Sequence, residues 1–152
     1  MEPSYLQAIG QFVWNFALLE WDVVYIVVKL NNDEWTKTRL NSTSGDISKA
    51  LARSIEEQAA RLPTAYVIRL RAFAKHYEAD ILERNGLLHV HPYTASDGAQ
   101  QLGGEDRKKV LREWTLERLR EHAELFKVHQ REGNALLHEY VREFAPKVGG
   151  VA

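Results

Sequence analysis

The feature that most constrains the fold is the segment from Pro3 to Asn31, whose helical periodicity places apolar residues in two stripes rather than one. The first stripe consists of Phe12, Phe16, Leu19, Val23, Ile26 and Leu30, and the second of Trp14, Leu18, Trp21, Tyr25 and Val28. One stripe is enough to pack a helix against the core of a single chain. The second stripe needs another cover, which a homodimer interface or the rest of the same chain can supply. We expect a homodimer, with a central helix surrounded by its own chain as the alternative.

The same segment is too polar to span a membrane. It contains Asn15, Glu20, Asp22 and Lys29, and acidic side chains in the middle of a span are very costly in lipid. The chain starts Met-Glu-Pro-Ser, without the basic start and small-residue cleavage site of a signal peptide. We therefore expect a cytoplasmic protein without a membrane partner.

Composition narrows the class of protein and of site. The chain has 152 residues, 45% of them hydrophobic and 27% charged, with a formal net charge of −1. This profile suits a single globular domain, which we place at residues 1–145, with a flexible tail at residues 146–152. The near-neutral charge means that RNA binding needs a local basic patch or the pooled surfaces of an oligomer. Because the chain has no cysteine, disulfides and Cys-based metal sites are excluded, and we expect no cofactor.

Two further helices are predicted directly after the first. The earlier one follows the turn-forming segment 41–46, where Ser44 or Asp46 can cap its first amides, and Pro63 interrupts it. The next runs from about Thr64 to His89, with apolar residues at helical spacing along one stripe.

The helical pattern fails between residues 90 and 114, where Asp97-Gly98 is typical of a hairpin turn. The last helix is predicted to begin at Thr115, whose hydroxyl can cap it, or alternatively near Asp106. Whether residues 105–114 are helix or strand stays open. Together the segments predict an all-α, four-to-five-helix up-and-down bundle with a short β-hairpin in the loop before the last long helix.

The third predicted helix ends in the hexapeptide Arg84-Asn85-Gly86-Leu87-Leu88-His89, which combines a permanent cation, an amide and a titratable imidazole. An Arg guanidinium can hold a phosphate, and a His side chain can transfer protons near neutral pH. Arg84 falls on the core-facing stripe of its helix, so its guanidinium must find a carboxylate, a carbonyl or a ligand phosphate. The structural alternative is that Arg84 pairs with Glu20 or Asp80 and that His89 only caps the helix.

With Arg84-Asn85 followed by His89, the sequence resembles the HEPN family (higher eukaryotes and prokaryotes nucleotide-binding domains). The hallmark of that family is an Arg, commonly followed by Asn, Asp or His, and then a His four to six residues after the Arg. The setting is also similar, because the motif of this chain is predicted to lie near the end of the third long helix of an all-α bundle. Two weaker matches are Leu19-Glu20 in the first helix and Thr115-Leu116-Glu117 at the start of the last.

The resemblance implies a HEPN-like four-helix fold, homodimerisation and, in many members, metal-independent endoribonuclease activity. Many such proteins are toxins of toxin–antitoxin systems or components of phage defence, which would add an antitoxin protein as a partner. Other members lack catalysis and bind a nucleotide, RNA or a protein partner. We therefore expect an endoribonuclease, with a non-catalytic binding module as the alternative.

Helical geometry bears on how the motif would work. Positions five apart lie about 140° around a helix axis, so Arg84 and His89 do not meet on one face, whereas Asn85 and His89 do. This favours a site in which two copies of the chain line a shared cleft. We expect Arg84 and His89 to be catalytic, with Asn85 and Glu20 as supporting residues. Gly86 costs about 1 kcal/mol of helix stability relative to Ala, which is tolerable where another group approaches the backbone.

Residues that follow the motif are candidates for binding RNA. Tyr93 is placed to stack a base and His91 lies beside it, although packing over the helix end is the alternative for Tyr93. Arg107, Lys108 and Lys109 form a basic cluster that would guide an RNA backbone by charge, unless they are simply solvated surface residues. His89 and His91 would supply only two imidazole ligands, which make a poor metal site, so we expect no metal.

Overall fold

The computed structural model of the chain describes residues 1–32, 42–105 and 109–146. Across these ranges the chain is mostly helical. Its long elements, in chain order, are the helices α1 (Pro3–Asn31), α2 (Ser44–Gln58) and α3 (Thr64–Leu88), the strands β1 (His91–Thr94), β2 (Gln100–Glu105) and β3 (Leu111–Trp114), and the helix α4 (Leu116–Glu139). A 3-10 turn, Ala59–Arg61, follows α2, and a π-helical turn, Tyr140–Phe144, follows α4.

The four long helices in the described ranges agree with the predicted helical bundle. α1 is the central element, because it packs mainly along α4 and also contacts α2 and α3. The predicted tail at residues 146–152 lies, apart from Pro146, outside the described residues. No helix that the structure describes is long and apolar enough to cross a bilayer.

α1 has the bounds that its periodicity predicts. Pro3 lies in its first turn, where a missing amide costs no hydrogen bond, and Asn32 ends it in the left-handed region at φ 52°. All six residues of the first apolar stripe are buried. The second stripe divides, since Val28 is buried whereas Trp14 and Leu18 are 66% and 40% exposed. The chain thus covers the carboxyl-terminal half of α1 on more than one side and leaves part of its amino-terminal half uncovered.

The N-cap of α2 is Thr43, and the predicted caps Ser44 and Asp46 are wrong. Thr43 Oγ1 accepts from the Asp46 amide at 3.2 Å, while Asp46 Oδ2 accepts from the Thr43 amide at 3.2 Å. This reciprocal capping box satisfies two amides at once, and its hydrogen bonds from Thr43 hold the pKa of Asp46 below its ordinary value. Ser44 is the first helical residue, and its buried side chain is left free of a capping role.

The segment between α3 and α4 forms a three-stranded antiparallel sheet in the order β1-β2-β3, one strand more than the predicted hairpin. The predicted turn is confirmed, because Gly98 has a φ of 85° and its amide donates to the Ala95 carbonyl at 2.9 Å. The alternative helix start near Asp106, itself outside the described residues, is wrong, because Leu111–Trp114 pairs with β2 as a strand. As predicted, Thr115 caps the last helix.

An aromatic cluster fixes α1, α4 and β3 relative to one another. Phe12 and Phe16 on α1 contact Phe126 on α4 with ring centroids 4.8 and 5.5 Å apart. Phe12 also meets the Trp114 indole edge-on at 5.4 Å. Edge-to-face pairs at these distances suit the charge distribution of aromatic rings, and all four rings are buried.

A buried polar contact joins α3 to α4. His129 Nδ1 lies 2.6 Å from Asp80 Oδ2, and the His76 ring stacks on the His129 ring with centroids 4.6 Å apart. Burial raises the pKa of Asp80, and the hydrogen bond and charge of His129 partly offset that rise. Asp80 is therefore committed to the interface between these two helices.

Two glycines provide matched probes of this packing. In Gly133→Ala the new Cβ would lie 2.6 Å from Phe73 Cζ, so we expect the ring to shift and the free energy of unfolding to fall by about 1–3 kcal/mol. In Gly86→Ala the Cβ would lie 3.4 Å from Trp114 Cζ2, an ordinary contact, and alanine should add up to about 1 kcal/mol. Urea unfolding followed by circular dichroism measures both. A stabilised Gly133→Ala variant would contradict the close approach of α4 to Phe73.

Candidate functional site

The sequence motif lies at the carboxyl-terminal end of α3. Arg84 is half-buried, about one turn before the helix ends. His89 is the exposed C-cap residue, and its amide donates to the Asn85 carbonyl at 3.2 Å. Within the described part of the chain, no side-chain hydrogen bond links His89 to Arg84 or to Asn85. One chain alone therefore does not bring Arg84 and His89 together, as their helical spacing predicts.

Arg84 is held in place without a carboxylate. Its Nη2 donates to Ser44 Oγ on α2, and its guanidinium carbon lies 4.8 Å from the centroid of the Phe16 ring on α1. Among the described residues, no Asp or Glu oxygen lies within ion-pairing distance of the guanidinium, and its Nε is buried without a hydrogen-bond acceptor. A hydroxyl and an aromatic face do not neutralise the charge. The guanidinium therefore keeps the capacity to bind an anion.

The structural alternative, in which Arg84 pairs with Glu20 or Asp80, is not observed. Glu20 Oε2 instead accepts a hydrogen bond from the Tyr77 hydroxyl at 2.8 Å, and Asp80 is bonded to α4. Burial raises the pKa of Tyr77, the Glu20 charge raises it further, and Ser44 and Arg84 lower it in part. Because the hydroxyl stays protonated, Tyr77 acts as a donor that fixes one oxygen of the Glu20 carboxylate.

Arg84 and Glu20 line the same cavity between α1 and α3, which we call the α1–α3 cleft. It has a volume of about 240 Å³ and is lined by Val13, Phe16, Ala17, Glu20, Arg84 and Leu88. A neighbouring cavity of about 320 Å³ shares Ala17 and Glu20 with it, so the two adjoin along α1. The α1–α3 cleft thus carries a cation and an anion on otherwise apolar walls.

Trp114 positions the end of α3. Its indole is fully buried, and Nε1 donates to the Gly86 carbonyl at 3.3 Å, which is one of the terminal carbonyls that a helix leaves without an internal partner. The Trp114 carbonyl accepts from the Tyr5 hydroxyl at 2.5 Å, and that hydroxyl accepts from the Leu102 amide at 2.8 Å. The indole is the group that approaches the backbone at Gly86. These contacts join α1, the sheet and the motif.

Tyr93 is held across the sheet. Its hydroxyl donates to the Glu113 carboxylate and accepts from Gln101 Nε2 at 2.6 Å. Its ring lies against Gly103, where an added Cβ would come within 2.5 Å of Tyr93 Cε1. Tyr93 thus has a packing role within the sheet, and base stacking by it stays a prediction.

The other predicted binding residues are distributed around the motif. His91 begins β1 and is exposed, and Lys109 precedes β3 and is also exposed, with a φ of 59°. Arg107 and Lys108 lie outside the described residues. The structure therefore places His91 on the strand that follows the motif and does not join it to the α1–α3 cleft.

Three residues that matter to the site were not found from the sequence. Ser44 was interpreted as a cap, although its real partner is Arg84, 40 residues further along the chain. Tyr77 lies seven residues before Arg84 on the same helix face, and this spacing is the signal that could have placed it in the site. Trp114 gave no local signal, because its bond to Gly86 depends on the sheet.

No group of three or more His, Asp or Glu side chains in the described ranges is placed to hold a metal ion. No protein-family model matches the chain, and comparisons with curated proteins and with solved structures also give no match. Function must therefore be inferred from the motif and from the geometry of the cleft.

The Tyr77 hydroxyl gives the site a pH-dependent signature. Because burial and then the Glu20 charge raise the pKa of Tyr77 above the ordinary value of 10.0, the folded state keeps this proton after the unfolded state has lost it. The contribution to stability is complete below about pH 10 and is lost as the pH rises above it. Tyr77→Phe should cost about 1 kcal/mol at neutral pH and make the alkaline loss shallower. Urea unfolding at several pH values below and above about pH 10 measures the free energy of unfolding. If it fell equally steeply with pH in the variant and the wild type, the prediction would be contradicted.

Proposed function

We propose that the chain is a HEPN-like, metal-independent endoribonuclease that acts as a homodimer. A toxin or phage-defence role, with an antitoxin protein as partner, follows from the family resemblance alone. Support for the nuclease itself comes from the chemistry of the α1–α3 cleft and from the position of His89.

The observation that carries the proposal is the unpaired charge of Arg84. The guanidinium is half-buried, lies over the Phe16 ring, and has no carboxylate partner among the described residues. Keeping such a charge partly away from water is unfavourable unless an anion compensates it. A phosphate of RNA is an anion that a guanidinium binds well, since its planar fork matches the phosphate oxygens.

The motif supplies the remaining groups for cleavage. His89 would remove the proton from a ribose 2′-hydroxyl, whose oxygen then attacks the adjacent phosphorus. Arg84 would stabilise the negative charge of the phosphorane, and Asn85 would hold the His89 ring or contact the phosphate. The bond from phosphorus to the 5′-oxygen breaks, and a His of the second copy or water protonates that oxygen. The products are a 2′,3′-cyclic phosphate and a 5′-hydroxyl end.

An exposed face on α1 supports the homodimer. Leu6, Val13, Trp14 and Leu18, which we call the α1 apolar face, are each at least 40% exposed. Their spacing places them on one side of the helix, and contiguous exposed apolar residues mark interaction sites. Val13 also lines the α1–α3 cleft. A second copy on this face would lie next to Arg84 and would bring its own His89 toward a shared cleft.

A non-catalytic module that binds a nucleotide, RNA or a protein partner is the second candidate. It is favoured by the fixed position of Arg84, whose Nη2 donates a hydrogen bond to Ser44 and whose guanidinium carbon lies over the Phe16 ring. A cation restrained in this way is suited to binding an anion without catalysing a reaction. Cleavage assays separate the two candidates.

The nuclease is tested by incubating the purified protein with labelled single-stranded RNA in EDTA. We expect cleavage, with cyclic phosphate and 5′-hydroxyl ends, because neither general base nor guanidinium requires a metal. His89→Ala and Arg84→Ala should each lower the rate by about 100-fold or more. The matched control is His138→Ala, which removes an exposed histidine of α4 and should cleave at the wild-type rate. Undiminished cleavage by His89→Ala would rule out the mechanism.

The homodimer is tested by placing a charge on the α1 apolar face. Trp14→Glu should convert the protein to a monomer and reduce cleavage with it, because the shared cleft is lost. Leu82→Glu on α3 is the matched control, since Leu82 is 68% exposed and Trp14 is 66% exposed. Sedimentation velocity measures the oligomeric state. A wild-type protein that is monomeric and still cleaves RNA would contradict the proposed dimeric site.

A further inference from the structure

We propose that the α1–α3 cleft binds a guanine base through the carboxylate of Glu20. The inference rests on the proposed function only in assigning Arg84 to a neighbouring phosphate. It names the base that the cleft recognises, which the motif and the family resemblance leave undetermined.

The two charges of the cleft are kept apart. Arg84 donates a hydrogen bond to the Ser44 hydroxyl, and Glu20 accepts one from the Tyr77 hydroxyl, so a separate contact holds each charged group. Among the described residues, no ion pair joins Arg84 to Glu20 across the cleft. Glu20 Oε1 has no hydrogen-bond donor within the described part of the chain. A half-buried carboxylate with an unused oxygen can accept donors from a ligand.

The cavity is small and its walls are mostly apolar. Apart from Glu20 and Arg84, its lining residues are all apolar, namely Val13, Phe16, Ala17 and Leu88. Apolar walls around a few placed polar groups are typical of sites for small ring systems. The volume of about 240 Å³ lies below the ~300–1,000 Å³ of drug-sized pockets. The cavity therefore suits a single base better than a larger ligand.

The donors of a guanine base match the acceptors that Glu20 offers. Guanine presents N1–H and N2–H side by side on its Watson–Crick edge, and these two donors match the two oxygens of a carboxylate. Glu20 Oε2 can accept one of them in addition to the Tyr77 hydroxyl, because each carboxylate oxygen has two acceptor sites. Adenine and cytosine offer one amine beside a ring-nitrogen acceptor, and uracil offers one N–H between two carbonyls. A carboxylate would face an acceptor in each of these bases.

The test depends on the fixed donor role of Tyr77. In Glu20→Gln the Tyr77 hydroxyl still needs an acceptor, so the amide oxygen should occupy the position of Oε2. The amide NH₂ then takes the position of Oε1, and the cleft presents a donor where it had an acceptor. This replacement keeps the size of the side chain and reverses the polarity that guanine requires.

The experiment measures the binding of guanosine, adenosine, cytidine and uridine 5′-monophosphates to the full chain by calorimetry. We expect the guanine nucleotide to bind about tenfold or more tightly than the others, and Glu20→Gln to remove this preference. Guanosine without phosphate should show the same dependence on Glu20, whereas Arg84→Ala should weaken the nucleotide more than the nucleoside. A short RNA containing one guanine should compete for the same site, and the tighter of the two ligands identifies RNA or free nucleotide as the source.

A second variant keeps the inference testable if Glu20→Gln folds poorly. Ala17→Leu fills the cleft without touching its hydrogen bonds and should abolish guanine binding, while Ala72→Leu on an exposed position of α3 should not. Equal binding of all four nucleotides, no binding of any, or a guanine preference that survives both cleft variants would overturn the proposal. Guanine preference without RNA cleavage would support guanine recognition by the cleft and contradict the proposed nuclease activity. RNA cleavage without guanine preference would support the nuclease activity and contradict guanine recognition by the cleft.

Discussion

The arrangement of the site depends on the burial of one indole. Trp114 contacts the aromatic cluster through Phe12, donates to the Gly86 carbonyl of the motif, and is held through its own carbonyl by Tyr5. A fully buried tryptophan contributes a large apolar area, and its N–H needs a partner when it is buried. Here that partner is a helix-terminal carbonyl, which also needs one. One hydrogen bond therefore satisfies both the buried indole N–H and the helix-terminal carbonyl, and it fixes where α3 ends relative to the sheet.

The cleft departs from the arrangement that would be most stable for its own charges. A cation and an anion that line one small cavity would gain most by pairing directly. Instead Arg84 is bonded to Ser44 and Glu20 to Tyr77. Hydroxyl groups satisfy only part of the hydrogen-bonding capacity of these ions, so both keep capacity that these contacts leave unused. Such incomplete satisfaction at a half-buried position is more typical of a binding site than of a structural contact.

The helices could be predicted largely from the sequence, because their signals are local. The cap at Thr115 needed only its own hydroxyl and the amides that follow it. The choice of Thr43 as the cap of α2 was missed because several neighbouring residues could cap, and the reciprocal bond decided between them. For Leu111–Trp114 the choice between helix and strand stayed open, because its apolar spacing also fits a helix and only pairing with β2 defines it as a strand. For the site, the motif was located but its surroundings were not, since the contact of Arg84 with Ser44 is made by two separate helices.

α1 serves three regions of the molecule at once. Tyr5 holds the sheet, Phe16 and Glu20 form walls of the cleft, and Trp14 belongs to the exposed apolar face. A rigid helix of 29 residues cannot shift at one of these places without moving the others, because its backbone hydrogen bonds act along the whole length. Any partner that bound the exposed face of α1 would consequently be mechanically coupled to the cleft, and it would change the shape of the cleft without replacing a single residue there.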